Sequence, residues 1–213
     1  MPFLFYRPLI SRKIYFYKRM VLSHIILSIA WILYCFLHSV FASLAFKEFM
    51  KRSMGAYFKI YRLYYTLFAF AGFAAIIYYL FILPSFRIFQ INVTTIIIGG
   101  IITTLGGVIV ISCIWKYFFQ LSGLRSLMEE RKGNELMIAG LHKYVRHPLY
   151  TGTFIFIWGL WILIPSASLM ISNIIITIYT LIGIWFEEKK LIEEFGEAYK
   201  SYQQKVPMII PKF

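Results

Sequence analysis

The sequence predicts an all-α fold, that of a polytopic membrane protein with about five transmembrane helices. Of its 213 residues, 60% are hydrophobic and 15% are charged, whereas charged residues make up about a quarter of an ordinary soluble domain. Five apolar runs follow one another, separated by short polar or basic segments. Because backbone groups in lipid must satisfy their hydrogen bonds internally, we expect these runs to be helical.

The predicted spans are residues 22–46, 60–83, 91–115, 149–164 and 169–186. The first three reach the roughly 20 residues that a bilayer crossing needs. The last two are shorter, and only residues 165–168 separate them, which predicts a tight helical hairpin. The third span has small residues at the spacing that lets neighbouring helices approach closely, and these are Gly99, Gly100, Thr103, Gly106 and Gly107.

We expect residues 1–21 to form a basic N-terminal segment and residues 22–213 to form a single membrane domain. Lys and Arg are concentrated in segments 47–62 and 116–147, which places these loops and the C-terminus in the cytoplasm by the positive-inside rule. Five spans then put the N-terminus outside, against its own basic residues, which are Arg7, Arg12, Lys13, Lys18 and Arg19. Three explanations stay open. The segment lies flat on the inner surface and one span is re-entrant, or it is translocated, or the natural chain starts at Met20. We prefer the last, since it removes the conflict.

The net charge of +13 does not indicate nucleic-acid binding, because the basic residues form short blocks between apolar runs. Cys35 and Cys113 lie inside apolar segments without the spacing of paired metal ligands, so we interpret them as packing residues. His24 and His38 lie fourteen positions apart in the first span, and His142 is interpreted as a surface residue rather than a ligand. No metal site is predicted.

Residues 144–152, with the sequence YVRHPLYTG, precede and begin the fourth span. His147 is expected to be extended because a proline follows it, and Pro148 suits the first turn of a helix. The free N–H groups and positive dipole end of that helix then lie beside Arg146 and His147. Such a position is suited to an anionic group, such as a carboxylate or a phosphate.

Glu187 and Glu188 follow the fifth span, and the short turn of the hairpin is expected to bring them beside Pro148. A ligand that combines negative groups with positive or hydroxyl groups would suit such a site, and S-adenosylmethionine is one such molecule. The alternative stays open at this point: Arg146 and His147 anchor a helix at the lipid headgroups, and the two glutamates begin a solvated helix.

An amphipathic cytoplasmic helix is predicted after the glutamate pair, since its apolar residues recur at helical spacing. These residues are Leu191, Phe195, Ala198 and Tyr202. Gly196 is expected to bend this helix, and Val206 with Pro207 to end it.

The strings YVRHPLYTG and FGEAYKSYQQKVPMIIP, with the glutamate pair between them, resemble the C-terminal half of the isoprenylcysteine carboxyl methyltransferase superfamily over about residues 115–211. The N-terminal half is similar to methanethiol S-methyltransferases and the related NnrU-like proteins. The segments that carry this second resemblance are His38-Ser39, Ala42, Phe46-Lys47, Tyr61-Arg62-Leu63-Tyr64, Leu121-Ser122-Gly123-Leu124-Arg125 and Val206-Pro207-Met208.

The resemblance implies an integral-membrane methyltransferase that uses S-adenosylmethionine and methylates a small thiol or a lipophilic carboxylate or thiol. It implies a cofactor-binding part at about residues 115–213, with binding residues Tyr144, Val145, Arg146, His147, Pro148, Tyr150, Glu187 and Glu188. A thiol acceptor must become a thiolate, which a nearby cation favours. Arg146 and Arg125 are the candidates for that catalytic role, and we favour Arg146.

Two other functions stay open. A membrane reductase that uses NADPH shares the hairpin architecture by resemblance, and a basic pocket would suit its phosphate, but an acidic pair would oppose it. A non-enzymatic accessory protein, as some NnrU-like proteins are expected to be, would bind no cofactor at all. If the chain is a methyltransferase, its expected partners are the methyl acceptor and membrane lipid.

Overall fold

The computed structural model describes residues 6–121, 136 and 138–212. Over these residues the chain forms seven α-helices and no strand, which confirms the predicted all-α class. In chain order they are α1 (Tyr6–Ala42), α2 (Leu44–Met54), α3 (Phe58–Ile82), α4 (Val93–Leu121), α5 (Pro148–Leu163), α6 (Ala167–Phe195) and α7 (Glu197–Lys205).

Four segments in the described part of the chain are long and apolar enough to cross a membrane. They are Ile14–Ala42, Leu63–Ile82, Val93–Lys116 and Ala167–Phe195. The apolar helix α5 is shorter, with 16 residues. The protein is therefore a polytopic membrane protein, as predicted.

Three predicted boundaries are wrong. The first span begins at Ile14 rather than at residue 22, since α1 is already helical there. The first span does not run to residue 46, because the chain bends at Ser43, whose hydroxyl accepts the Phe46 N–H and starts a separate helix. The fifth span is not short, since α6 has 29 residues and continues through Glu187 and Glu188 to Phe195. Its polar last turns are helical because Glu and Lys are good helix formers, although hydropathy alone ends the span at residue 186.

The described chain divides into two compact units. The first unit comprises Met1–Ile88 and Ser166–Ile176. Its buried polar groups are paired: the indole N–H of Trp31 donates to the Ser172 hydroxyl at 2.8 Å, and the Tyr61 hydroxyl donates to the Phe41 carbonyl at 2.6 Å. These bonds join α1 to α6 and to the N-terminal end of α3. The predicted division at residue 21 stays a prediction.

The second unit comprises Phe89–Pro165 and Thr177–Phe213. In it α4 packs along α5 at glycines of both helices, as the small-residue spacing of the third predicted span indicated. A side chain at Gly106 would collide with the backbone of Phe156, and one at Gly159 would lie 2.6 Å from the backbone nitrogen of Thr103. This close approach fixes α5 against α4 and thereby sets where α5 begins.

Candidate cofactor site

The helix α5 begins at Pro148 as predicted, but His147 is not in the extended conformation that was expected before a proline. His147 lies outside the helical region, with φ −124° and ψ 67°, and Pro148 occupies the first turn. The Thr151 hydroxyl lies 3.1 Å from the His147 carbonyl and 2.9 Å from the Ile209 carbonyl. The first turn of α5 is thus bonded to the C-terminal tail of the chain.

Arg146 and His147 meet Glu188 at this point. The guanidinium Nε of Arg146 donates to Glu188 Oε1 at 2.7 Å, and His147 Nε2 lies 3.1 Å from the same oxygen. The side chains of Arg146, His147 and Glu188 are only 11%, 4% and 15% exposed. Arg146, His147 and Glu188 therefore bind each other directly rather than lining opposite walls of an open cleft.

Two residues of α7 complete the shell of Glu188. The Tyr199 hydroxyl donates to Oε1 at 3.3 Å, and the Gln203 amide donates to Oε2 at 3.0 Å. Gly196, with φ +55°, separates α6 from α7 and allows α7 to turn back onto α6. Since four donors surround one carboxylate, the cluster holds Glu188 in its charged form.

The C-terminal tail is part of the same structure. Backbone N–H groups of Arg146 and His147 donate to the carbonyls of Pro207 at 2.9 Å and Met208 at 3.1 Å. Arg146 Nη1 also donates to the carbonyl of Val206 at 2.6 Å. The extended segment before α5 and the tail therefore pair with each other, and Arg146 is the side chain that both share.

Glu187 has a different environment from Glu188. Its side chain is 46% exposed, and its carboxylate lies 3.8 Å from His147 Nδ1. The ring of Tyr150 stacks on His147 with centroids 5.8 Å apart. Glu187 is thus a carboxylate that solvent or a ligand can reach, adjacent to a buried imidazole and an aromatic face.

A cavity of about 420 Å³ lies between the end of α4 and the segment before α5. Cys113, Lys116, Lys143 and Tyr144 are among the residues that line it. Ligand pockets commonly have volumes of about 300–1,000 Å³, so this cavity has room for a small molecule or part of a larger one.

Burial shifts the pKa of Tyr199 and of His142, two of the titrating groups beside the cluster. It raises the pKa of the Tyr199 phenol well above its ordinary value, and the negative charge of Glu188 adds to this. Burial also lowers the pKa of His142, whose Nδ1 lies 3.0 Å from the Arg146 carbonyl. His142 is therefore a neutral, partly buried residue that contacts the Arg146 carbonyl, rather than the surface residue that we interpreted it to be.

The model of the phospholipid methyltransferase family matches residues 94–198, a segment that contains α4, α5, α6 and both halves of the Arg146–Glu188 cluster. Residues 94–198, just under half of the chain, are thus similar to the phospholipid methyltransferase family.

Relatives of the chain carry two kinds of name. A "Methanethiol S-methyltransferase" of Crocosphaera subtropica is 40% identical over 113 residues, which is 50% of this chain and 44% of the relative. A protein of the same name from Pseudomonas deceptionensis is 29% identical and matches 82% of this chain and 67% of the relative. A "Protein-S-isoprenylcysteine O-methyltransferase" of Schizosaccharomyces pombe is 33% identical over 39% of this chain and 36% of the relative.

Both predicted resemblances are thus confirmed. The match to the Crocosphaera protein spans less than half of that relative's length. No solved structure matches the chain.

Most of the predicted site residues of the family segment lie together. Arg146, His147, Glu187 and Glu188 meet in one cluster, Tyr150 stacks against it, and Tyr144 faces the neighbouring cavity. Val145 and Pro148 are buried and support the backbone. Arg125 lies outside the described residues. Tyr199 and Gln203 were not predicted as site residues, although their spacing of four places both on one helix face.

Proposed function

We propose that this chain is an integral-membrane, S-adenosylmethionine-dependent methyltransferase that acts on a small thiol or on a lipophilic carboxylate or thiol. The observation that chiefly supports the proposal is the convergence of Arg146 and His147 with Glu187 and Glu188 at the start of α5. Relatives of the chain carry methyltransferase names. The two proposed classes of acceptor, a small thiol and a lipophilic carboxylate or thiol, are inferred from those names.

The residues present fit the chemistry of this cofactor. S-adenosylmethionine has a carboxylate, an ammonium, a sulfonium and ribose hydroxyls. The exposed carboxylate of Glu187 can accept hydrogen bonds from an ammonium or a hydroxyl. The positive end of α5 and the lysines of the adjacent cavity suit a carboxylate. Tyr150 supplies an aromatic surface beside them.

When bound, the cofactor supplies an activated methyl group and a good leaving group, so the protein mainly orients the two reactants. The buried contacts of Arg146, His147 and Glu188 hold the start of α5 in place, which is a positioning role. A thiol acceptor must lose its proton, and a nearby cation favours the thiolate. Arg146 is the first candidate for this cation, although its ion pair with Glu188 offsets part of its charge. A carboxylate acceptor needs no base. Arg125 remains the second candidate for this cation.

A site at the membrane boundary would suit an acceptor that arrives from lipid. The ring of Trp185, 54% exposed and covered by the Lys189 ammonium at 3.5 Å, lies just before the glutamate pair in α6. An aromatic residue with a neighbouring lysine is typical of the membrane–water interface. We place this interface, with the C-terminus, on the cytoplasmic side, because the basic loops favour that orientation.

A methyl-transfer assay tests the proposal. Membranes that contain the protein are supplied with S-adenosylmethionine labelled in its methyl group, and with methanethiol, a prenylcysteine or a lipid amine as acceptor. We expect label in the thiol or the prenylcysteine product and none in the lipid amine. Glu187→Gln, which leaves the buried cluster intact, serves as the matched variant and should lower transfer at limiting cofactor.

A thermal-shift comparison in detergent separates the alternatives. Stabilisation by S-adenosylmethionine but not by NADPH supports the methyltransferase. Stabilisation by NADPH alone would indicate a reductase and contradict the proposal. No shift with either ligand, together with no transfer of label, would indicate an accessory protein.

A further inference from the structure

The imidazole of His147 has a different neighbour on each side. Its Nε2 lies 3.1 Å from Glu188 Oε1, its Nδ1 lies 3.8 Å from Glu187 Oε2, and the Tyr150 ring stacks on it with centroids 5.8 Å apart. The His147 side chain is 4% exposed, whereas that of Glu187 is 46% exposed. Since Glu187 is the accessible neighbour, a molecule from outside reaches the imidazole at its Nδ1 edge.

The contact with Glu188 decides which ring nitrogen carries the hydrogen. A charged carboxylate can only accept hydrogen bonds, and Glu188 Oε1 also accepts them from Arg146 Nε at 2.7 Å and from the Tyr199 hydroxyl at 3.3 Å. Nε2 of His147 therefore carries its hydrogen and donates it to Glu188. In the neutral ring, Nδ1 is then the nitrogen with a free lone pair.

The described part of the chain gives Nδ1 no hydrogen bond. His147 precedes the first turn of α5, but its side chain does not accept a backbone N–H of that turn. The Glu187 carboxylate, at 3.8 Å, is beyond hydrogen-bond distance. A basic ring nitrogen, oriented by a carboxylate on the other side of the ring, is the arrangement by which enzymes activate a hydroxyl or a thiol nucleophile.

We infer that His147 is the general base of the reaction and that the acceptor is a thiol, an inference that rests on the proposed methyltransferase function. The thiol proton passes to Nδ1, directly or through one water molecule. The thiolate sulfur then forms a bond to the donor methyl carbon, and the bond from that carbon to the donor sulfur breaks with its electron pair left on the donor sulfur.

The proton then resides on the imidazolium until solvent takes it. Glu187 and Glu188 lie on opposite sides of this cation, and their negative charges stabilise it. A carboxylate acceptor has no proton to lose and needs no base. The presence of a base at this position therefore favours the thiol between the two proposed classes of acceptor.

Substitution of the imidazole itself is the informative change, because several titratable or charged groups surround it. They are Arg146, His142, Tyr150, Glu187, Glu188 and, through Glu188, Tyr199. His147→Gln keeps an amide donor for Glu188 but has no nitrogen that accepts a proton. His24→Asn is the matched control, because it removes an imidazole of the first unit that bonds to Ser85.

Nitrogen NMR tests the state of the ring without any turnover. The chain has four histidines, so labelling histidine with nitrogen-15 gives few signals in detergent, and His147→Gln identifies those of His147. Near neutral pH we expect a protonated Nε2 and an unprotonated Nδ1, and on acidification we expect Nδ1 to gain a proton. A proton on Nδ1 throughout the pH range in which the protein transfers methyl groups would overturn the proposal.

The pH dependence of kcat/KM tests the proton transfer with two small thiols, ethanethiol and the more acidic trifluoroethanethiol. In the wild type both profiles should rise at the same pH, because a group of the protein takes the proton. In His147→Gln each profile should instead rise with the ionisation of its own thiol, and ethanethiol methylation near neutral pH should fall by about 10²–10⁴-fold. His24→Asn should behave as the wild type does.

Three results would contradict the inference in distinguishable ways. Wild-type profiles that shift with the acidity of the thiol would remove the role of His147, and this comparison does not depend on the folding of any variant. Transfer to the carboxylate of a prenylcysteine, without transfer to either thiol, would overturn the inference but leave the methyltransferase in place. No transfer to any acceptor would overturn the proposed function itself.

Discussion

Arg146 and Glu188 are 42 positions apart in the sequence, and a 2.7 Å ion pair joins the Arg146 Nε to Glu188 Oε1. The same guanidinium donates through Nη1 to two backbone carbonyls, those of Gln203 at 3.2 Å and Val206 at 2.6 Å. One side chain thus ties the start of α5 to α6, to α7 and to the C-terminal tail.

Replacing the arginine should therefore cost stability as well as function. Arg146→Ala leaves a nearly buried carboxylate without its main cation, and the loss of one member of a buried pair typically costs about 3–5 kcal/mol. Thermal or denaturant unfolding in detergent measures this loss. Lys200→Ala is the matched control, because its pair with Glu197 is 51% and 86% exposed and such pairs contribute less than about 1 kcal/mol. Equal losses in the two variants would contradict the structural role of Arg146.

Substitutions of the two neighbouring glutamates should separate an effect on stability from an effect on ligand binding. Glu188→Gln removes the charge that Arg146 and His147 bind, so we expect a lower unfolding temperature and lost activity. Glu187→Gln changes a half-exposed carboxylate, so we expect the unfolding temperature of the free protein to stay close to that of the wild type. Its stabilisation by S-adenosylmethionine should shrink. Calorimetry with and without the ligand measures both effects, and equal ligand responses in Glu187→Gln and the wild type would rule out a ligand contact at Glu187.

Alanine substitutions at different glycines of α4 should have sharply different effects on stability. A side chain at Gly106 would meet the backbone of Phe156, whereas one at Gly100 would meet nothing within 4 Å. Gly106→Ala should therefore push α5 away and destabilise the protein by about 1–3 kcal/mol. Gly100→Ala should be neutral or stabilising, since alanine is the better helix former. The prediction fails if the unfolding temperatures of the two variants are the same.

Stability should fall in mild acid because of His142. Burial lowers the pKa of His142 and the positive charge of Lys116 lowers it further, which together outweigh the opposite effects of the hydrogen bond to the Arg146 carbonyl and of the Glu187 charge. The unfolded chain binds a proton near its ordinary pKa of about 6.5, but the folded chain does so only at lower pH. The contribution of His142 is therefore present above about pH 6.5 and is lost as the pH falls through the lowered value.

Unfolding at pH 7.5 and pH 5.5 measures this pH effect. His142→Asn keeps a donor close to the Arg146 carbonyl but cannot titrate in this range. We expect the acid-induced drop in unfolding temperature to be smaller in the variant than in the wild type. A drop of the same size in both proteins would assign the acid sensitivity to other groups.

Much of the fold could be predicted from the sequence because the membrane allows few backbone solutions. Hydropathy located the apolar core of each span, and Pro148 marked the start of α5 because proline has few places in a helix. The break at Ser43 was missed because residues on both sides of it are apolar. The extension of α6 to Phe195 was missed because polar residues in a long helix look the same as those of a separate helix.

Part of the candidate site could also be predicted from the sequence. Charged residues at the edge of a membrane helix stand out in the sequence, so Arg146, His147, Glu187 and Glu188 could be found. Nothing in the sequence indicates that Arg146 binds the carbonyls of Gln203 and Val206, because any residue provides a carbonyl. Tyr199 and Gln203 reach Glu188 only because α7 turns back at Gly196, and the angle of that turn depends on tertiary packing.

The ion pair between Arg146 and Glu188 joins the two open ends of the hairpin formed by α5 and α6. The length of one helix therefore constrains the length of the other. One residue inserted in the interior of either helix would rotate everything beyond it by about 100° and shift it by about 1.5 Å. Arg146 or Glu188 would then face away from its partner. Insertions and deletions that survive in related chains should therefore fall at the turn near Pro165, or occur as compensating changes in both helices. Adaptation to a thicker or thinner bilayer would have to lengthen or shorten the two helices together.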